Sequence, residues 1–585
     1  MLLKLKYTRT MMGCFLSIVR RRWIAAILAV LPMLSAVVVE AAHPAAVRGS
    51  GGAVASAAPA ATEAGLEILR AGGNAADAAV ATALALAVVF PQAGNLGGGG
   101  FAVVRFGEEV NTLDFREIAP AAAAHDMYLD DDGKPRPDAS LVGPLAAGVP
   151  GSPAGLFELH RKFGHLPWAQ VVVPAIRLAR DGFVVNTRLH RSLAASEELL
   201  QRFPETAAVW LPEGRPPSAG SVKKLPELAA ILEAYGARGA PAITEGPVAA
   251  AVELAARRHG GVLTAADLAA YRPLWREPVR FSAHGWQVAS VPLPSSGGII
   301  IGETLGLLDR LGWQERPRFG ADRYHLLTEA FRRAYADRFL LGDPRTSLAG
   351  ASELLASGWL DVRAAEIQTE SAVDSERVRP WSQDRVEAHL ETTHLSVMDG
   401  AGNAVALTTT LNGSFGCGLL VPGAGFFLNN EMDDFAVAPG RPNLYGLVQG
   451  EANAVGPGKR MLSSMSPTVA WNGRQVVVLG TPGGSRIPTA TVQVLLNIIV
   501  DGDALQAAVD RPRIHHQWMP DALFAEADAV SPETARALED RGHELRVTKT
   551  IGEVIAVRRL ADGTMEAAQD PRGPGAAGVV RPEGE

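Results

Sequence analysis

Residues 74–90 constrain the fold most. The run is rich in Ala, Val and Leu and is apolar on most faces of a helix, so it has to be buried on nearly every side. A chain of 585 residues is long enough to enclose such a helix, although length alone leaves open one large core or two ordinary ones. A second Ala-rich helical pattern, 60–69, precedes it, and Pro91 ends it. Gly94-Asn95-Leu96-Gly97-Gly98-Gly99-Gly100 follows, then a strand over 101–106 with 112–116 as its neighbour. Helical patterns dominate 153–270, broken by a Pro-rich loop at 211–217. Residues 287–291 read as a strand, and Pro294-Ser295-Ser296-Gly297-Gly298 turns into a helix over 299–311.

Residues 361–390 are charged, Ser-containing and poor in apolar periodicity, which predicts an exposed strap. Beyond it the composition turns to strands at 394–399, 404–410, 468–471 and 475–480. The tail after Asp570 is rich in Gly and Pro and is expected to be poorly ordered. No internal repeat is present.

Apolar residues at 47% and charged residues at 20% describe a globular protein, and a formal charge of −7 argues against a nucleic-acid partner. Residues 1–42 stand apart. Lys4, Lys6, Arg9 and Arg20-Arg21-Arg22 precede an apolar segment, 23–39, that ends at Val39-Glu40-Ala41-Ala42. Basic head, apolar middle and small residues at the end form an export signal, with cleavage expected near Ala41 and Met11 or Met12 as alternative starts. A retained membrane anchor is the competing reading, because the apolar segment nearly reaches spanning length. Export to the periplasm or the medium is preferred, and the mature protein is expected to be soluble, touching membrane only through the signal. Of the two cysteines, Cys14 leaves with the signal, so Cys417 has no internal partner and stability has to come from the core.

The chemistry points to Glu391-Thr392-Thr393-His394-Leu395-Ser396-Val397, with Thr408-Thr409-Thr410-Leu411-Asn412 shortly downstream. A threonine that becomes a chain's first residue carries its own base, because the freed α-amine lies beside its hydroxyl. Thr392 does not begin this chain, so that reading requires the Glu391–Thr392 bond to be cut. Taken alone, Thr392 is more often an ordinary strand threonine. Its companions are Asn429-Asn430-Glu431-Met432-Asp433-Asp434-Phe435, Ser463-Ser464-Met465-Ser466-Pro467-Thr468, Gly480-Thr481-Pro482-Gly483-Gly484-Ser485-Arg486, Pro91 through Phe101, and Asp114-Phe115-Arg116-Glu117.

With these motifs in this order the chain closely resembles the γ-glutamyltransferases, over about 44–570. The resemblance implies an α+β fold, a four-layer αββα sandwich of the N-terminal-nucleophile hydrolase type, built from two subunits cut from one precursor. The large subunit would be 43–391 and the small subunit 392–585, held together as a heterodimer. It implies an enzyme that hydrolyses glutathione and other γ-glutamyl amides, or transfers the γ-glutamyl group to amino acids and peptides through an ester on Thr392. Thr410 would orient the nucleophile, and the N–H groups of Gly483 and Gly484 would face the oxyanion. Arg116, Ser463 and Ser464 would hold the substrate α-carboxylate, where a guanidinium binds in two-pronged fashion. Asn412, Glu431 and Asp434 would hold the α-ammonium. Residues 436–457 resemble a lid loop with Tyr445 as its aromatic, which favours small γ-glutamyl peptides over poly-γ-glutamate. Glu431 stands where some bacterial members carry glutamine, a departure that bears on acceptor preference.

No cofactor or metal is expected. Gly97–Gly100 is followed by no Lys-Ser or Lys-Thr, Gly458-Lys459 lacks both the upstream glycine and the following hydroxyl, and no His-Glu-x-x-His occurs. His515 and His516 are strand neighbours and point to opposite faces. Two alternatives stay open: a β-lactam side-chain (glutaryl) acylase of the same superfamily, and an uncleaved, inactive exported binding protein.

Overall fold

The structure, a computed structural model, describes residues 45–378 and 392–581. The export signal at 1–42 and the residue Glu391, on which the expected cut depends, lie outside the described residues. Within them the helix foreseen at 74–90 is Ala75–Val89, with all 15 residues buried. Asn74 caps it by accepting from the N–H groups of Ala76 and Asp77, and Asp77 answers the Asn74 N–H in return. An apolar helix without a polar face needs neighbours all round. It finds them in the helices Pro59–Arg70 and Trp168–Asp181 and in the strands Thr393–Asp399 and Ala404–Thr410.

Those strands belong to a seven-stranded sheet ordered Ala576–Val579, Gly52–Ser56, Thr393–Asp399, Ala404–Thr410, Gly99–Phe106, Glu109–Phe115, Leu274–Arg276. A second seven-stranded sheet runs Val47–Gly49, Met565–Ala568, Ile555–Arg559, Val476–Gly480, Thr468–Trp471, Trp286–Ser290, Val279–Ala283. The sheets stack face to face, with Thr393–Asp399 lying on Val476–Gly480 and Ile555–Arg559. On the outer side of the second sheet pack the helices Gly297–Arg310 and Ile487–Ile499, with Ala321–Asp337 against the first of these. Helix, sheet, sheet, helix is the expected αββα order. From Ala45 on, the described residues cluster as one compact unit, which answers the question that length left open.

One expectation fails. Past Asp570 the chain is not loose: Ala576–Val579 forms an edge strand paired antiparallel with Gly52–Ser56. Its Gly and Pro content hid a segment whose main chain has a sheet edge to complete, and main-chain pairing needs little from side chains. The strap foreseen at 361–390 is described as far as Val378; that part is mostly exposed or half-buried, as expected, but starts inside a helix, Ser357–Ala365, while 379–390 lie outside the described residues. Its continuation is tied down by buried partners: Trp518 Nε1 donates to the carbonyls of Ser375 and Val378, each at 2.9 Å. A polar segment can be held through its backbone without any apolar period to reveal it.

Candidate active site

Thr392 immediately precedes the central strand Thr393–Asp399 and is 3% exposed. The antiparallel register pairs Thr393 with Thr409, so one further step sets Thr392 opposite Thr410, the last residue of the neighbouring strand. Thr410 Oγ1 accepts from the Asn412 N–H at 2.8 Å, turning the chain sharply into the site; Asn412 has φ 74°. A cleft of about 270 Å³ opens there, lined by Arg116, Thr392, Thr410, Asn412, Glu431, Asp434, Tyr445, Ser463, Ser464, Met465, Gly484 and Ile487. Of the expected site residues among those described, only Gly483, beside Gly484, is missing from that lining.

The glycine run at 97–100 has a packing reason. A Cβ on Gly98 would stand 2.1 Å from the Thr410 carbonyl, so a bare backbone lets the loop lie against the strand that ends at Thr410. Asn95 locks the two together. Its amide donates to Thr409 Oγ1 at 3.0 Å and to the Thr410 carbonyl at 2.8 Å, while its oxygen accepts from the Gly98 N–H and the Ser152 hydroxyl.

Gly483 and Gly484 follow the strand Val476–Gly480 and have φ of 134° and 54°, left-handed values that suit glycine. They stand at the start of the 3-10 turn Gly484–Arg486 and the helix Ile487–Ile499. Amides at a helix N-terminus have no intrahelical acceptor and carry partial positive charge, the environment an oxyanion requires.

Arg116, also in the cleft lining, is fully buried, and its guanidinium grips both Glu431 and Asp434, one through each terminal nitrogen. The residues expected to hold opposite ends of a substrate are therefore ion-paired with one another. Burial pushes the carboxyls of Glu431 and Asp434 above their ordinary values, with Arg116 pulling the other way. Several polar atoms in this region are buried without a hydrogen-bond partner among the described residues: Glu431 Oε2, Asn412 Oδ1 and Ser464 Oγ. Two are acceptors suited to an ammonium group, and the third is a hydroxyl that can donate to a carboxylate. Ser463 Oγ accepts from the Met465 N–H at 3.0 Å.

The segment resembling a lid is latched onto Asn412 and Asp434. Tyr445 donates its hydroxyl to the Asn412 carbonyl at 2.8 Å, and Asn443 Nδ2 donates to Asp434 Oδ1 at 3.1 Å. Asp433 points away from the cleft, accepting from the Leu444 N–H of the lid at 2.8 Å and from the Ser140 hydroxyl at 2.7 Å. His515 and His516 face different partners, Thr489 with Gln517 and Asp521 respectively.

Sequence reasoning assigned no role to Asn95, Asn429 or Glu117, although all three lie inside the quoted motifs. Asn429 Oδ1 accepts from the Glu431 N–H and the Gly148 N–H, setting the turn that carries Glu431. Glu117 is fully buried 3.7 Å from the Arg116 guanidinium, with both carboxylate oxygens unpartnered, and burial pushes it up to about 7.

The profile of the gamma-glutamyltranspeptidase family matches residues 61–580. The chain belongs to that family. It is 43% identical over 534 residues to the glutathione hydrolase proenzyme of Escherichia coli K12, covering 91% of each chain. It is also 35% identical over 531 residues to the acylase ACY 1 proenzyme of Pseudomonas sp. SE83, covering 89% of this chain and 92% of the relative. Among solved structures, the cephalosporin acylase of Bacillus halodurans superposes with a TM-score of 0.81 at 28% identity, covering 93% of this chain and 98% of that one. A gamma-glutamyltranspeptidase from Pseudomonas nitroreducens in complex with L-DON gives 0.53 at 37% identity, covering 55% and 96%. The family, the sandwich fold and the expectation of a family enzyme with a threonine nucleophile are borne out.

Proposed function

We propose that this chain is an exported γ-glutamyltransferase that cuts itself between Glu391 and Thr392 and then hydrolyses glutathione and other γ-glutamyl amides, or passes the γ-glutamyl group to amino acids and peptides. The observation that carries the reading is one cleft lined together by Thr392, Thr410, Gly484, Arg116, Glu431, Asp434 and Ser464. In maturation Thr392 Oγ attacks the Glu391 carbonyl, the acyl group moves from nitrogen to oxygen, and water opens the ester. Residues 43–391 and 392–585 then remain together as large and small subunits, after loss of the signal at 1–42.

The freed α-amine has an ordinary pKa of about 7.7–8.0, so a useful fraction is neutral near pH 8 and accepts the Thr392 hydroxyl proton. Thr410, opposite it, orients the hydroxyl. Attack on the γ-carbonyl places negative charge beside the N–H groups of Gly483 and Gly484, and collapse expels the amine and leaves a γ-glutamyl ester. Removing one such donor typically costs about 3–4 kcal/mol in the transition state. Water then releases glutamate, or an amino-acid amine takes the acyl group. Arg116, Ser463 and Ser464 receive the α-carboxylate; Asn412, Glu431 and Asp434 receive the α-ammonium; Tyr445 closes over the γ-glutamyl group.

A glutaryl amide has no ammonium and would leave Glu431 Oε2 and Asn412 Oδ1 unanswered, which favours γ-glutamyl donors over the acylase reading. The test is a denaturing gel with mass-spectrometric sequencing of the N-termini, beside assays on glutathione and on glutaryl-7-aminocephalosporanic acid. Two chains, one starting at Thr392, a single chain for Thr392→Ala, and turnover of glutathione are expected. A single intact chain, or preference for the glutaryl substrate, overturns the proposal.

A further inference from the structure

We propose that His394 is a positioning residue: its imidazole, bonded within the sheet whose strand follows the nucleophile, is joined through Ser396 to Ile555, the neighbour of the strand that leads to the oxyanion glycines, and it fills the place where a side chain on Gly480 would lie. The inference rests on the roles given above to Thr392, Gly483 and Gly484.

His394 follows the nucleophile by two residues and is fully buried between the sheets. Its Nδ1 lies 2.8 Å from Thr408 Oγ1 and its Nε2 3.0 Å from Ser396 Oγ, and Ser396 Oγ donates to the Ile555 carbonyl at 3.0 Å. That carbonyl can only accept, so the Ser396 hydrogen is committed to it and the Ser396 oxygen must accept from His394. Nε2 therefore carries the hydrogen, Nδ1 is bare, and Thr408 donates to it: one neutral tautomer, assigned by the network. Burial pushes the imidazole down to about 3, in keeping with a ring that stays neutral, with its one hydrogen on Nε2, in turnover.

The relay ends on the rung that matters. Ile555 is the register partner of Gly480, the last residue of Val476–Gly480. The same ring covers Gly480 itself: a Cβ there would stand 2.4 Å from Cε1 and 2.6 Å from Nδ1. From Gly480 to Gly483 the chain has little slack. Thr481 Oγ1 donates to the Pro482 carbonyl at 2.8 Å and accepts from the Glu553 N–H at 2.7 Å. A displacement at Gly480 is therefore passed to the two oxyanion amides, while Arg116, Glu431, Asp434 and Ser464 sit on other segments and stay in place.

The test separates position from binding. Gly480→Ala should lower kcat for hydrolysis of γ-glutamyl-p-nitroanilide about 10- to 100-fold, because a misplacement of an ångström costs about that much, with the inhibition constant of glutamate within about twofold. Adding His394→Ala to Gly480→Ala removes the ring that the new methyl strikes and should recover about tenfold. His394→Gln can present an amide N–H to Ser396 where Nε2 did, whereas the shorter Asn cannot, so His394→Gln should keep about tenfold more activity than His394→Asn. Unchanged kcat in Gly480→Ala, a double variant no better than the single one, or a loss confined to glutamate binding overturns the proposal. If Gly480→Ala does not fold or cleave, the His394→Gln and His394→Asn pair decides, and equal activity of the two overturns it. An unaltered protein that turns over no γ-glutamyl compound would instead refute the functional reading itself.

Discussion

Asp433→Asn isolates the energetic burden of the lid's anchor. Asp433 is 5% exposed and takes two hydrogen bonds, from Leu444 in the lid and from Ser140, with no cation bonded to it among the described residues. Burial pushes its carboxyl from 3.8 up to about 6, the neighbouring Asp434 adding to the rise and the two hydrogen bonds opposing it. The folded protein therefore binds this proton more tightly than the unfolded chain. Between about pH 4 and pH 6 the native state holds more protons, so stability from this group is fullest at low pH and falls as pH rises through that window. Above pH 6 the penalty is complete, and a rise of that size is worth about 3 kcal/mol. Asparagine can keep both contacts, its oxygen accepting from Leu444 and its amide donating to Ser140, while carrying no charge. For a chain of this length about 3 kcal/mol is worth roughly 2–3 °C in melting midpoint. Scanning fluorimetry of both proteins from pH 4 to pH 8 should show Asp433→Asn melting higher at pH 7.5, with the gain shrinking to nothing by pH 4. An equal gain at every pH, or a loss at pH 7.5, would refute the reasoning.

Tyr445→Phe removes the hydroxyl that ties the lid to the Asn412 carbonyl; the closed state should lose about 1 kcal/mol, read as roughly a fivefold rise in KM with kcat little changed. Asp434→Asn takes a carboxylate from the Arg116 guanidinium and from the substrate ammonium, and kcat/KM should fall by about 100-fold, in keeping with a loss of about 3 kcal/mol for breaking a buried charge pair. If the base is the α-amine of Thr392, kcat/KM should climb between pH 6 and 8 with an inflection near the ordinary amine value of about 7.7–8.0. The same inflection should persist in His394→Gln, since the imidazole does not titrate there.

The sequence was readable where a pattern has one physical cause. An all-apolar helical run admits only burial, and Ala75–Val89 is buried throughout. Long motifs placed Thr392, Arg116, Asn412, Glu431, Asp434, Ser463, Ser464 and Tyr445 around one cleft, although they come from segments hundreds of residues apart. Main-chain events escaped. The edge strand Ala576–Val579 and the segment pinned by Trp518 are held through backbone groups that any side chain permits. Supporting residues escaped too, because Asn95, Asn429 and Glu117 act on other residues' positions, and polar residue types give no hint of that from spacing alone.

The pairing of Arg116 with Glu431 and Asp434 bears directly on selectivity. Three buried carboxyls pair with the Arg116 guanidinium once Glu117 is included, with Arg338 adding its pull on Asp434 and Arg460 on Glu117. Burial raises all three carboxyls, and Arg116 pulls each of them down. An amino-acid end brings no net charge: its ammonium brings donors to Glu431 Oε2 and Asn412 Oδ1, and its carboxylate accepts from Ser464 and shares Arg116. A dicarboxylate without the ammonium brings net negative charge beside the carboxyls and answers neither acceptor. Leaving a buried charged group unanswered costs about 3 kcal/mol, which is roughly a factor of 100. Glutamate should therefore inhibit at least about 100-fold more tightly than glutarate at pH 7.5. Comparable inhibition by the two would mean that the acidic pair serves only to hold Arg116 and does not read the substrate.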